Sequence, residues 1–135
     1  MKDIYKILIF CFLAMSAIIG YGTIRCKTTD FQDPLTKSAL GPPWDLFVDG
    51  WGISHFIFYG FLAYMFPKKK TLVIIFLLGV LWEIIESIFK DHPFYLSDCK
   101  YEVTTDKGGW WYGRWQDIVM NSLGMATGLF MRRFI

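Results

Sequence analysis

Apolar positions along the chain gather into four runs, separated by polar, charged or turn-rich connections. The first, residues 4–21, reads IYKILIFCFLAMSAIIGY with Lys6 as its one charge, and is long enough to cross a bilayer core as a helix. The second, 51–66 (WGISHFIFYGFLAYMF), is slightly short for a span and needs bilayer thinning, flanking aromatics or snorkelling lysines. Pro67 and Lys68-Lys69-Lys70 end it sharply. The third, 71–89 (TLVIIFLLGVLWEIIESIF), and the fourth, 113–131 (GRWQDIVMNSLGMATGLFM), have spanning length but carry carboxylates inside. The pattern predicts an all-α integral membrane bundle of four transmembrane helices, one membrane domain over 1–135, with two long outer loops at 23–50 and 90–112.

Composition points the same way. The chain is 54% hydrophobic and 19% charged, against roughly 45–50% and about 25% in soluble domains, and its mean hydropathy is +0.36. The 13 Phe, 7 Tyr and 6 Trp exclude intrinsic disorder. A net charge of +2 is too small to argue for nucleic acid, so the expected partners are the lipid bilayer and a small molecule, with oligomeric state left open. Placing the amino terminus inside puts Lys2, Lys6, Lys68, Lys69, Lys70, Arg132 and Arg133 on one side with only Asp3. The acids Asp30, Asp33, Asp45, Asp49, Asp91, Asp98, Glu102 and Asp106 then fall on the other. The positive-inside rule therefore predicts a multi-pass protein with both termini cytoplasmic, and Trp44, Trp51, Trp110, Trp111 and Trp115 at the outer interface as an aromatic belt.

A competing reading makes the first run a cleaved signal peptide, given its basic start and the small residues Ala14, Ser16 and Ala17. Its apolar stretch is longer than a usual signal core. Three cysteines are too few for a disulfide scaffold or a zinc module. Cys11 lies in the first run, whereas Cys26 and Cys99 fall one in each outer loop, which makes them a disulfide candidate; the alternative is two free thiols.

Ionisable residues inside membrane helices are functional candidates because their insertion is costly. At about 1.5 Å per residue from the outer helix ends, His55 and Asp117 lie about 6 Å deep, Glu86 and Glu83 about 4.5 and 9 Å, and Asn121 about 12 Å. Three helices thus bring these side chains to the outer third of the bilayer. Glu83 and Glu86 share a helix face with Gly79, and Asp117, Asn121, Gly124 and Gly128 form one stripe that ends in a small-xxx-small pattern. Polar residues of this kind also serve simply as interhelical glue. Three carboxylates and a neutral imidazole are a poor set for that purpose, because ionised carboxylates only accept and repel one another. Neutralisation can come from Arg114, from protonation, or from a divalent metal ion held by His55, Glu83, Glu86 and Asp117. Two glutamates at i, i+3 and one histidine are a weaker metal signature than a HExxH helix. His92 reads as a solvated loop residue. No Gly-rich phosphate loop is present, and no nucleophilic Ser or Cys has an obvious base beside it, with Ser54 next to His55 and Ser87 next to Glu86 left open.

The order SHFIFYGFLAY, LLGVLWEIIE, GRWQDIVMNSLGMATG resembles the VanZ-like family of small polytopic membrane proteins, over helices two to four. The resemblance implies that His55, Glu83, Asp117, Asn121, Gly124 and Gly128 are the family positions. This chain departs from the pattern at Trp51, where an acid four residues before the histidine is usual (Asp49 lies two further off), at Glu86, often Gln, and in the long loop 90–112. The resemblance implies a membrane protein, one member of the family being linked to low-level teicoplanin resistance, and no established reaction.

The expectation is an outward-facing polar pocket that binds or processes a lipid-linked or amphiphilic substrate. His55, Glu83, Glu86 and Asp117 would do acid–base or metal-assisted chemistry, and Asn121, Arg114 and Trp111 would contact substrate. The alternatives are a small proton-coupled transporter or channel and a non-catalytic accessory subunit; whether the protein is an enzyme stays open.

Overall fold

The computed structural model describes residues 2–27, 33–38, 40–41, 43–45, 47–89 and 113–134, without the side chains of Cys26 and Lys27. Among the described residues the chain is all-α, with helices α1 (Lys2–Lys27), α2 (Gly50–Met65), α3 (Lys69–Ile88) and α4 (Trp115–Arg132). A short 3-10 turn spans Pro34–Thr36, and an isolated bridge pairs Ser38 with Asp49. The helices follow the four apolar runs closely except at α1, which continues past Tyr21 to Lys27. Among the described residues, two helices are long and apolar enough to cross a membrane: Lys2–Arg25 and Lys69–Ile88, each with mean hydropathy 2.2. Only 11% and 22% of their apolar windows are buried, the reverse of what the core helix of a soluble protein requires.

The chain divides into two compact units, Met1–Asp33 with Ile84–Gly113, and Pro34–Glu83 with Arg114–Ile135. In the first, Tyr21 and Arg25 sit one turn apart on α1 and both bond the buried Asp33 carboxylate. This shared partner accounts for the extension of α1 beyond its most apolar stretch. Cys26 falls on α1 rather than in a loop, but the proposed Cys26–Cys99 pairing lies outside the described residues.

In the second unit α2 and α4 run parallel and touch along a seam of small residues. A Cβ at Gly124 would overlap the carbonyl oxygen of Phe56, and one at Gly128 that of Gly60. One turn further, Arg132 donates to the Tyr64 carbonyl and lies 5.8 Å from the centre of its ring. Three successive turns thus keep one register, Phe56–Gly124, Gly60–Gly128, Tyr64–Arg132, which an i, i+4 stripe on each helix produces. Leu62, Ala63 and Ile75 are buried in this half of the unit. Pro67 has no N–H to continue α2. The Thr71 hydroxyl lies 2.8 Å from the Phe66 carbonyl and 2.7 Å from that of Lys68, closing the tight turn into α3. Lys68–Lys70 and Arg132–Arg133 therefore gather at one end of the unit.

Candidate functional site

At the opposite end, Asp49 begins α2. Its extended backbone and short acceptor side chain make it an N-cap, taking a 2.7 Å hydrogen bond from the Gly52 N–H. Gly52 is required by the close approach, since a Cβ there would overlap the Phe47 carbonyl. The same carboxylate accepts from Arg114, at 2.6 Å from Nη1 and 3.3 Å from Nη2. Arg114, just before α4, also donates from Nε and Nη2 to the two oxygens of Asp117, at 2.8 and 3.0 Å. One guanidinium therefore forks onto two carboxylates from different helices, a geometry that lysine's point charge cannot reproduce. Asp49, Arg114 and Asp117 are 5%, 8% and 3% exposed.

α3 enters through Glu83, 4% exposed, whose Oε2 accepts from the Arg114 backbone N–H at 2.8 Å. This bond ties α3 to the start of α4. From α2, His55 Nδ1 lies 2.9 Å from Asn121 Oδ1 on α4 and 3.8 Å from Glu83 Oε1. The imidazole stacks on Tyr59 one turn along, with centroids 6.2 Å apart and planes 8° from parallel. Gly79 makes room for the crossing: a Cβ there would stand 2.8 Å from the Tyr59 hydroxyl and 2.9 Å from Asn121 Nδ2. Two buried polar atoms have no hydrogen-bond partner among the described residues, Glu83 Oε1 and Asn121 Nδ2.

Of the site residues expected from sequence, the structure brings His55, Glu83, Asp117, Asn121 and Arg114 together. One potential ligand atom each from His55, Glu83 and Asp117 lies within 4.8 Å of the others. Glu86 is half-buried on the part of α3 that belongs to the first unit, and the three-residue group forms without it. Arg114 directs its guanidinium to Asp49 and Asp117 and so organises two carboxylates of the cluster. Trp111 and Cys99 lie outside the described residues. Asp49 is a member of the cluster that the hydrophobic pattern assigns to the loop 23–50. Its signal was an Asp directly ahead of an apolar helical run, the pattern of an N-cap.

Beside the cluster, Phe47 lies 6.0 Å from Trp44 and 5.4 Å, edge to face, from Trp115. Both tryptophans are more than half exposed, giving an aromatic shelf next to the Asp49–Arg114 pair. The arrangement couples an imidazole and carboxylates, able to exchange protons or ligate a cation, to an apolar platform. Comparison of the chain with protein-family models, curated proteins and solved structures finds no match in any of the three.

Proposed function

We propose that the chain is a four-helix, multi-pass membrane protein of the VanZ-like kind, both termini cytoplasmic, whose polar cluster binds or processes the head group of a lipid-linked or amphiphilic molecule. The observation that carries this reading is the convergence of His55, Glu83 and Asp117 from three helices at the end of the unit remote from its basic fringe. The surrounding helix faces suit lipid: Ile57 and Phe61 of α2, Val73, Leu77 and Leu81 of α3, and Leu123 and Phe130 of α4 are all exposed. Such a surface is far more apolar than a soluble monomer presents to water. The shelf of Trp44, Phe47 and Trp115 has the half-apolar, half-polar character of a membrane interface and offers ring faces to an acyl chain or a sugar.

A conducting pore is less well supported. In the half of the unit that holds the glycine seam, the hydroxyls of Ser122 and Thr127 bond carbonyls of their own helix, and Thr71 bonds the turn before α3. Those groups form no chain continuing from Asn121 toward the basic end.

The test uses the full chain, extracted into lipid nanodiscs and examined by native mass spectrometry, with teicoplanin susceptibility of the expressing host as a second readout. Wild type is expected to retain an amphiphile through detergent exchange. His55→Gln and Glu83→Gln are expected to insert and melt normally, lose that amphiphile and lose any resistance. Retention of both properties by both variants overturns the proposal and leaves the cluster as interhelical glue.

A further inference from the structure

We infer that His55, Glu83 and Asp117 form the binding site of one divalent transition-metal cation of the zinc or manganese type. The inference rests on the reading of this cluster as a ligand-binding site, and not on which amphiphile occupies it.

Charge is the first argument. Asp49, Glu83 and Asp117 bring three negative charges into a space where each residue is at least nine-tenths buried, and Arg114 returns one positive charge. Fully ionised, the three carboxylates carry two charges that Arg114 does not compensate, which is what one divalent ion cancels. Arg114 directs its guanidinium to Asp49 and Asp117 and donates its backbone N–H to Glu83 Oε2. The second argument is the unpartnered atom. Glu83 Oε1 is buried, has no hydrogen-bond partner among the described residues, and points at the imidazole from 3.8 Å, too far for a hydrogen bond. Buried acceptors are rarely left this way, and a bound cation would satisfy this one.

Geometry agrees. The three ligating atoms lie within 4.8 Å of one another. Zinc binds nitrogen and oxygen at about 2.0–2.2 Å in a tetrahedral shell, which sets two ligands about 3.3–3.6 Å apart, so the widest pair has to close by at most about 1.5 Å. One imidazole with two carboxylates is a borderline donor set that suits zinc, manganese or ferrous iron over copper(I), which prefers sulfur, and over calcium, which prefers oxygen alone.

Each ligand is also held by a second group, as metal ligands generally are. Asn121 holds the His55 ring, the Arg114 N–H holds Glu83, and the Arg114 fork holds Asp117. An imidazole protonated on one nitrogen keeps a lone pair on the other for the ion. Three protein ligands leave a coordination position open to water or to an anionic oxygen of a head group, the arrangement of a working site more than a structural one.

The experiment is metal analysis of the full chain in nanodiscs, stripped with chelator and re-equilibrated separately with Zn²⁺, Mn²⁺, Mg²⁺ or Ca²⁺, with no amphiphile added. Wild type is expected to take up one Zn²⁺ or Mn²⁺ per chain, and His55→Gln and Glu83→Gln, which remove ligands themselves, are expected to weaken binding by more than the roughly 10–100-fold that loss of a supporting partner costs. X-ray absorption on zinc-loaded wild type should show only nitrogen and oxygen ligands, including one imidazole, a readout that survives even if a variant fails to fold. Substoichiometric metal in wild type, a shell containing sulfur or lacking imidazole, or stoichiometric binding unchanged in both variants overturns the inference. Amphiphile retention measured on the stripped protein reports separately on the proposed function.

Discussion

The two ends of the α2–α4 pair solve the same packing problem in opposite ways. Along Phe56–Gly124 and Gly60–Gly128 the helices meet with no side chain on α4 between the backbones. At the other end the space between them is filled by Asp49, His55, Arg114, Asp117 and Asn121, all within hydrogen-bonding reach of a neighbour in the cluster. In the bilayer setting proposed above, lipid is as apolar as leucine, so burying leucine would do little to join α2 and α4, and close backbone contact and interhelical hydrogen bonds would do that work. The glycine end supplies close contact, fixing register and rotation. The charged end can then hold side chains that would otherwise be too costly to bury, because their positions are already set.

The most disruptive way to break this contrast is to put a side chain into the seam. Gly124→Leu and Gly128→Val each drive a Cβ into the backbone of α2, where no flexible side-chain end can move aside. Overpacking typically costs about 1–3 kcal/mol, and here the helices themselves must part, so about 3 kcal/mol or more is expected. Thermal unfolding in detergent, followed by tryptophan fluorescence, should show loss of the folded population. Gly20→Ala is the control: nothing lies within 4 Å of a Cβ there, and the change should be neutral or slightly stabilising.

Next in size is the charged end. Arg114→Met leaves Asp49 and Asp117 buried and facing one another, and removing one partner of a buried ion pair costs about 3–5 kcal/mol. Arg114→Lys should recover only part, because an ammonium cannot fork onto both carboxylates. The triple variant Arg114→Met, Asp49→Asn, Asp117→Asn should be more stable than Arg114→Met alone, since the penalty lies in uncompensated charge. Melting temperatures of the three proteins compared side by side check this. A triple variant no more stable than the single would mean that Arg114 acts through packing.

How far these ends were legible depends on the range of the interaction. The stripe Asp117, Asn121, Gly124, Gly128 is local, repeating every turn or so of one helix, and depth counting along three separate helices was enough to bring His55 and Glu83 to its upper part. Glu86 shared Glu83's approximate face, but at i+3 it is rotated and one turn higher, and the compact group closes without it. Arg114 was visible as a neutralising charge. That its guanidinium bridges Asp49 and Asp117 was not, because Asp49 is 65 positions away in sequence and falls in the stretch that reads as a loop. The extension of α1 to Lys27 was hidden for the same reason: it follows from Asp33, beyond the helix end, accepting from both Tyr21 and Arg25.

The smallest effect sharpens the comparison most, because Asp49 does two separable jobs. Asp49→Asn keeps an acceptor for the Gly52 N–H and so keeps the cap, while removing a negative charge that Arg114 shares with Asp117. Asp49→Ala removes the cap as well, a loss of about 0.5–2 kcal/mol by itself. Neither leaves Arg114 unpaired, since Asp117 still takes its Nε and Nη2. Both should therefore be milder than Arg114→Met, with Asp49→Ala below Asp49→Asn by the value of the cap. Measured melting curves in that order would place the capping and the ion-pair contributions on one carboxylate. Equal destabilisation by Asn and Ala would show that the charge alone matters and that α2 begins stably without its cap, held by the glycine seam two turns further on.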